Sequence, residues 1–405
     1  MNVVFLTVFP LGNLSDSWIY ADLMRKFRDE GHKVYVVSPT ERRFKQATSF
    51  YESDGVCFLR VRTLNICKTN NIEKGIATLL LEYQYMKSVK KYLKNIKFDL
   101  ILYSTPPIVL IKVINFFKKR DDAFAYLMLK DIFPQNAVDL GMIKSSGFIY
   151  WLFRKKEIAL YKMSDKIGCM SPANVKYVLA HNTFINSNDV ELCPNAIDLN
   201  NQDNYTIDTE KIKSHYGIPD DRIIFINGGN LGKPQGLDFL LTVIESNKNN
   251  EDIFFVIAGS GTEYSKIKKW FKEKHPVNAL LIPNLPQKQF NELLQVCDVG
   301  LIFLNPKFTI PNYPSRLTSY LAYKKPVISA TDLYTDIGRI AEENGYGFSC
   351  VNGDLEKFNH YVDLFVKNPA LINEMGEKGY YFLSENYTTQ QIFDTIFKNL
   401  THIKS

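Results

Sequence analysis

Two short stretches of this chain combine glycines, backbone amides and one cation in the way that an anionic diphosphate requires. The first is Gly228-Gly229-Asn230-Leu231-Gly232-Lys233-Pro234-Gln235-Gly236, immediately after the apolar run 223–226. Glycine lets the backbone approach a ligand or turn with positive φ, and Lys233 supplies a mobile charge. The second is Asn312-Tyr313-Pro314-Ser315-Arg316-Leu317-Thr318-Ser319-Tyr320, about eighty residues later. Pro314 suits the first position of a helix, where its missing amide costs nothing. The amides of Ser315, Arg316 and Leu317 then lack intrahelical partners and lie at the positive end of the helix dipole. Arg316 adds a forked cation suited to phosphate. The plain alternatives are a strand–loop–helix turn and an ordinary helix start with a solvated arginine. Two such sites in one α/β unit suggest a nucleotide-sugar diphosphate gripped from two sides.

Other candidates lie at the ends of strand-like runs. Gly259-Ser260-Gly261 follows the run 253–258, and its small residues either keep a ligand floor open or make a simple turn. Pro283-Asn284-Leu285 offers backbone that can pair with a base edge. In the first half, Phe9-Pro10-Leu11-Gly12-Asn13 follows the first strand, so Gly12 and Asn13 are acceptor-side candidates. Asp131, in Lys130-Asp131-Ile132-Phe133-Pro134, is the best acidic candidate there, with a helix cap as its alternative role. Several patterns are missing. There is no Asp-x-Asp pair for a metal-bound nucleotide sugar, no clustered His or Cys for a metal, no Gly-x-Ser-x-Gly elbow, no Walker loop and no Gly-x-Gly-x-x-Gly. The six histidines are dispersed, and His32 before a strand reads as structural.

Composition sets the frame. With 405 residues the chain favours two or three domains, and 45% hydrophobic with 23% charged residues is ordinary for a globular protein. A net charge of +6 is too small to argue for nucleic acid and suits an anionic substrate or membrane surface. Six scattered cysteines without a Cys-x-x-Cys pair fit a reducing cytoplasm, with Cys169 and Cys350 as buried small hydrophobes. Residues 1–8 read as a first strand, not a signal peptide, and no run is long enough to span a bilayer. The stretch 149–162 carries Trp151, Phe153 and Tyr161 with Arg154, Lys155, Lys156 and Lys162 against Glu157 alone, and the long helix before it adds Lys87, Lys90, Lys91 and Lys94. Both can lie on an anionic bilayer or form ordinary packed helices with solvated basic faces.

These residues need a scaffold that brings strand ends together. Apolar runs at 3–8, 33–38, 56–61, 100–103, 124–129 and 166–170 alternate with helical patterns, notably 16–30 and 71–97. The second half repeats this with runs at 223–226, 253–258, 280–282, 299–303, 327–329 and 347–351. This is the pattern of parallel sheets with helices on both faces. The polar, turn-rich span 194–204 is the expected boundary. Two doubly wound domains, 1–198 and 199–388, each place a ligand crevice at the carboxyl ends of their strands.

Taken together, Glu30-Gly31-His32-Lys33-Val34, Lys130–Gly141 (KDIFPQNAVDLG), Cys193–Asp198 (CPNAID), Gly228–Leu240 (GGNLGKPQGLDFL) and Pro314–Ser329 (PSRLTSYLAYKKPVIS) resemble family 4 glycosyltransferases of the GT-B fold. The similarity is closest in style to bacterial enzymes that build capsule, O-antigen or exopolysaccharide units. The resemblance implies two Rossmann-like domains facing across a cleft, with acceptor bound by the first and donor by the second. It also implies that the segment 389–405 packs back on the first. It implies retaining transfer of a hexosyl or N-acetylhexosaminyl unit from a nucleoside-diphosphate sugar, UDP above others, with no metal and no cofactor. The acceptor it implies is an undecaprenyl-diphosphate-linked saccharide, and the location the inner face of the plasma membrane.

On the same resemblance Asp131, Lys233 and Arg316 are catalytic. Gly229, Asn230, Gly232, Gln235, Gly259, Pro283, Asn284, Leu285, Pro311, Asn312, Pro314, Ser315 and Ser319 bind the donor. The chain departs from the family at the two glutamates that it spaces eight positions apart, which fall at Pro311 and Ser319, and at an arginine that falls at Asn230. These departures keep a non-catalytic partner in a polysaccharide assembly complex open as an alternative, beside a sugar-nucleotide 2-epimerase.

Overall fold

The computed structural model describes residues 1–14, 18–66, 71–106, 108–199 and 207–401. The expected helix start at Asp16, together with Cys67, Pro107, Asn204 and the tail 402–405, lies outside these. The chain divides into two units: Met1–Asp198 with the segment from Thr388, and Leu199–Tyr387.

The first unit runs β1 (Asn2–Leu6), α1 (Ile19–Asp29), β2 (Lys33–Glu41), β3 (Ser49–Ser53), β4 (Val56–Thr63), α2 (Asn71–Tyr92), β5 (Leu100–Ser104), α3 (Ile111–Asp121), β6 (Phe124–Leu129), α4 (Gln135–Asp139), α5 (Phe148–Met163), β7 (Lys166–Cys169), α6 (Pro172–His181) and β8 (Val190–Leu192). These form an eight-stranded sheet in the order β3-β4-β2-β1-β5-β6-β7-β8. All its pairings are parallel except β3 with β4. The antiparallel β3 is a departure from the expected all-parallel pattern. Its residues, SFYES, are mostly exposed, so no apolar run announces it.

Alternate residues of the central strands are buried on both faces, which is why these strands read as continuous apolar runs. Val3, Phe5, Val34, Val36, Leu100 and Leu102 pack with Tyr20, Met24 and Phe27 of α1. Val4, Leu6, Ile101 and Leu127 are equally buried on the other side. There α2 packs on β4, and α3 packs on β6 and against both α2 and α5.

The second unit runs α7 (Thr209–Tyr216), β9 (Ile223–Asn230), α8 (Asp238–Ser246), β10 (Ile253–Ser260), α9 (Tyr264–Lys274), β11 (Ala279–Ile282), α10 (Gln287–Gln295), β12 (Val299–Phe303), α11 (Arg316–Ala322), β13 (Val327–Thr331), α12 (Ile337–Glu343), β14 (Gly347–Val351), α13 (Leu355–Lys367) and α14 (Ala370–Asn386). Its six strands are all parallel in the order β11-β10-β9-β12-β13-β14. The strand order reverses between β9 and β12, so the crevice at their carboxyl ends is where a doubly wound sheet takes its ligand.

The last helix, α15 (Thr389–Thr401), returns to the first unit and packs on α1. Phe393 sets its ring 4.8 Å from that of Phe27, and His32 stacks on Phe393 and Phe397. His32 is thus part of an aromatic seat, as its position before β2 suggested. Removing the Phe393 ring leaves a cavity between α1 and α15. Phe393→Ala is expected to cost about 3–4 kcal/mol, measured by urea unfolding of the intact chain.

Candidate functional site

In the second unit the glycine-rich segment is strand before it is loop. Hydrogen bonding carries β9 on to Asn230 and β10 to Ser260, beyond the apolar runs, with Gly229 opposite Gly259 in register. Gly259 has φ +151°, and a Cβ there would collide with the Gly229 carbonyl oxygen, so only glycine fits. Past Asn230 a 3-10 turn, Lys233–Gln235, ends at Gly236 in the left-handed region. Asn305 donates to the Lys233 carbonyl at 3.1 Å and its amide to the Pro234 carbonyl at 2.9 Å. Asn352 donates to the carbonyls of Leu304 and Gly236. The turn is therefore held from behind. Lys233 is exposed at its front, Gly232 lies under the Asn230 amide, and Gln235 is buried with its Oε1 lacking a partner among the described residues.

The second stretch meets the end of β9. The Arg316 guanidinium donates from Nη1 to Asn227 Oδ1 at 2.8 Å and from Nη2 to the Asn230 carbonyl at 3.1 Å. Both acceptors are neutral, and none of the ion pairs among the described residues includes Arg316. Burial pushes its pKa below the ordinary arginine value, yet the group stays cationic at neutral pH.

Tyr320, one turn on, holds the helix in place. Its hydroxyl lies 3.0 Å from the Gly228 amide, which donates to it, and within reach of the Ile226 and Leu301 carbonyls. A side chain at Gly300 would occupy the space of the Tyr320 ring.

The helix start differs from expectation. Pro314 is not its first residue: α11 begins at Arg316 with Ser315 at the cap. The Leu317 amide is taken by the Pro314 carbonyl at 3.3 Å, which leaves the amides of Ser315 and Arg316 as the open pair among the described residues. The chain from 311 to 314 stays outside the helix, with the Asn312 amide tied to Thr335 Oγ1 at 3.0 Å.

The other candidates of the second unit lie after β11, before α11 and on α11 itself. Pro283 and Asn284 are exposed after β11, with Leu285 half-buried beside them. Ser260 Oγ reaches Asn284 Oδ1 at 3.5 Å. Pro311 is buried, Ser315 is exposed and Ser319 is half-buried on α11. Asn227 and Tyr320 are the residues that sequence reasoning missed. A lone asparagine inside the apolar strand IIFIN was the available signal, because a buried amide needs a partner.

In the first unit Asp131 follows β6. It is not the cap of α4, whose cap position is Pro134. Its Oδ2 accepts from Asn136 Nδ2 at 2.6 Å, its Oδ1 has no partner among the described residues, and Thr105 donates to its backbone carbonyl at 3.0 Å. Burial pushes the carboxyl up to about 6, against the opposing pull of the Ile132 amide and Asn136. Next to it, Lys130 turns away and donates to the carbonyls of Cys193 and Pro194, each at 3.1 Å, and burial lowers its pKa. Gly12 follows β1 of the same sheet: its carbonyl accepts from the Tyr51 hydroxyl at 2.7 Å, and a Cβ there would meet the Arg60 guanidinium. Asn13 is exposed on the same loop.

The basic aromatic stretch is α5. Tyr161 is buried and bonded to Glu157, Phe153 packs on Phe133 at 4.9 Å, and Arg154 pairs with Glu157. Only Trp151 of the three aromatics is exposed, with Lys155 over its ring. Among the described residues there is no group of three or more His, Cys, Asp or Glu able to hold a metal, and no helix long and apolar enough to cross a membrane.

Because the folded Asp131 holds its proton up to about pH 6 and an unfolded aspartate releases it near 4, the folded state loses stability as pH rises through that window. Asp131→Asn is expected to gain about 3 kcal/mol over the wild type at pH 7.5 and nothing at pH 3.5. Paired urea titrations at the two pH values read this directly.

Residues 208–382 match the family described as Glycosyl transferases group 1. The chain is 24% identical to the probable glycosyltransferase WbjE of Pseudomonas aeruginosa over 301 residues, 73% of this chain and 72% of that protein. It is also 24% identical to the putative colanic acid biosynthesis glycosyl transferase WcaI of Escherichia coli K12 over 135 residues, 33% of each. Among solved structures, HepE of Anabaena, in complex with UDP and glucose, matches with a TM-score of 0.71 at 13% identity, covering 99% of this chain and 100% of that one. Residues 208–382 thus carry the sequence pattern of the group 1 glycosyl transferases, and the two sheet units have the GT-B fold.

Proposed function

We propose that the Leu199–Tyr387 unit holds the diphosphate of a nucleoside-diphosphate sugar, with UDP as the nucleotide. The chain then transfers the sugar, with retention, to a lipid-linked saccharide in the building of a bacterial surface polysaccharide. The observation that carries this reading is Arg316: a half-buried cation at the switch point of a parallel sheet, tied to two neutral oxygens and, among the described residues, to no carboxylate. A buried charge is costly unless paired, and the missing partner here is an anion. Support for UDP comes from the UDP bound in HepE, and support for polysaccharide synthesis from the colanic acid role in the name of WcaI.

Cleaving the anomeric C–O bond places negative charge on the β-phosphate and positive charge on the sugar ring. Arg316 and the amides of Ser315 and Arg316 meet the phosphate charge without reorganisation, and Lys233 adds a mobile cation from the facing turn. Gly229, Asn230, Gly232 and Gly259 keep side chains out of the phosphate path. Gln235 supports the turn from beneath. Pro283, Asn284 and Leu285 lie towards the base, and Ser319, with Pro311, Asn312 and Pro314, towards the ribose and sugar. On the acceptor side Asp131, with one free oxygen and a raised pKa, orients the attacking hydroxyl, and Gly12 and Asn13 line the approach. A phosphate oxygen takes the hydroxyl's proton on the face where the leaving group departs. The transfer then needs no metal.

The test is a set of turnover measurements with UDP-sugars. Arg316→Gln keeps a donor for Asn227 but removes the charge, and is expected to lower kcat about 100-fold or more with an unchanged melting temperature. Lys233→Ala is expected to lose about 10-fold, consistent with its solvated position. A UDP-sugar at saturating concentration raises the melting temperature of the wild type. Full UDP release by both variants, or turnover abolished by EDTA, would overturn the assignment of roles.

A further inference from the structure

One face of α2 is left bare. Along this 22-residue helix Ala77, Leu81, Tyr85 and Val89 are buried, and the Tyr85 hydroxyl donates to the Thr7 carbonyl at 2.6 Å. On the other side Ile76 and Tyr83 each stand three and four residues from the pair Leu79 and Leu80, and all four are exposed, Leu79 to 63% and Tyr83 to 67%. A helix that is apolar on every side is ordinarily buried on every side. The stripe then changes character without changing direction. Lys87, Lys90 and Lys91, and Lys94 in the turn after the helix, are all exposed. At 100° per residue these eight side chains share an arc of about 120°. The acidic residues of α2 do not offset them: Glu73 pairs with Arg42, and Glu82 Oε1 accepts from the Lys112 amide at 2.6 Å. Across α3, the neighbouring α5 exposes Phe148, Ile149 and Trp151.

We propose that this face of α2 docks on an anionic lipid bilayer, with the segment 76–83 entering the acyl boundary and the lysines 87–94 lying along the head groups. Charge decides between this occupant and a protein. Lysine is depleted in packed protein interfaces, where its ammonium would have to shed water. At a bilayer its stem lies along apolar surface while the ammonium stays among anionic head groups. An apolar patch continuous with a lysine row is the composition of an interfacial helix. The proposal deepens the lipid-linked acceptor reading by naming the surface that would bring the chain to such an acceptor. Its test needs no turnover.

The intact chain is sedimented with vesicles of phosphatidylcholine containing about one third phosphatidylglycerol, and with vesicles of phosphatidylcholine alone. Binding is expected to the first and to fall away on the second and at high salt. Replacing Lys87, Lys90, Lys91 and Lys94 by Gln is expected to lower the partition coefficient about fivefold per lysine. The pair Leu79→Glu and Tyr83→Glu is expected to abolish binding. Both variants should keep the wild-type melting temperature and the wild-type rate of UDP release. Vesicle binding that is absent, or untouched by both variants, overturns the proposal. So does a dimer in analytical ultracentrifugation that Leu79→Glu with Tyr83→Glu dissociates, which would give the face to a second copy. Vesicle binding without UDP release from any donor would leave the surface standing and sink the transferase reading instead.

Discussion

A guanidinium held by neutral oxygens is the constraint on which the second unit depends. Arg316 is half-buried where β9 ends and its bonds go to the Asn227 amide oxygen and the Asn230 carbonyl. Had either partner been a carboxylate, the charge would have been satisfied within the protein and the site would repel a phosphate. Neutral acceptors orient the fork and leave its charge to act outward. The cost of this arrangement is visible in the lowered pKa of Arg316. It is also visible in the buried Asn227 Nδ2, which has no partner among the described residues.

Everything around that contact keeps two chain segments in register. Tyr320 ties α11 to β9 and β12 through one hydroxyl, and Gly300 leaves room for its ring. Gly259 and Gly229 let β10 and β9 run together to their last residues, so that the Asn230 carbonyl reaches Arg316 from a rigid strand and not from a loose loop. Asn305 and Asn352 then brace the turn that carries Lys233. Donors built on strand ends in this way are held in place before any ligand arrives, the preorganisation that electrostatic stabilisation requires.

The first unit uses burial differently. Asp131 keeps a raised pKa because its carboxyl is desolvated, and one of its oxygens has no donor among the described residues, while Lys130 beside it spends its protons on backbone carbonyls. The same unit leaves the apolar stripe of α2 in solvent, although its core has a place for the opposite face of that helix. Buried polar atoms without partners and exposed apolar side chains are two forms of one signal: the folded chain has not satisfied itself there.

Much of this was legible in the order of residues. Apolar runs bounded by Gly, Pro and Asn located twelve of the fourteen strands among the described residues, because a strand buried on both faces has no polar positions to interrupt it. The two that escaped were β3, which is exposed, and β8, which is three residues long. The glycine loop and Pro314-Ser315-Arg316 marked a phosphate-like site from residue type alone, since only glycine permits close backbone approach and only arginine offers a forked cation. Tertiary structure decided how those residues are held. It showed that Arg316 leans on Asn227 and that α11 starts after Pro314. It covered Phe153 and Tyr161 of α5 while leaving Leu79 and Tyr83 of α2 bare. Periodicity reveals which side chains share a face, but whether a face is covered depends on partners distant in the chain, and no local pattern encodes those.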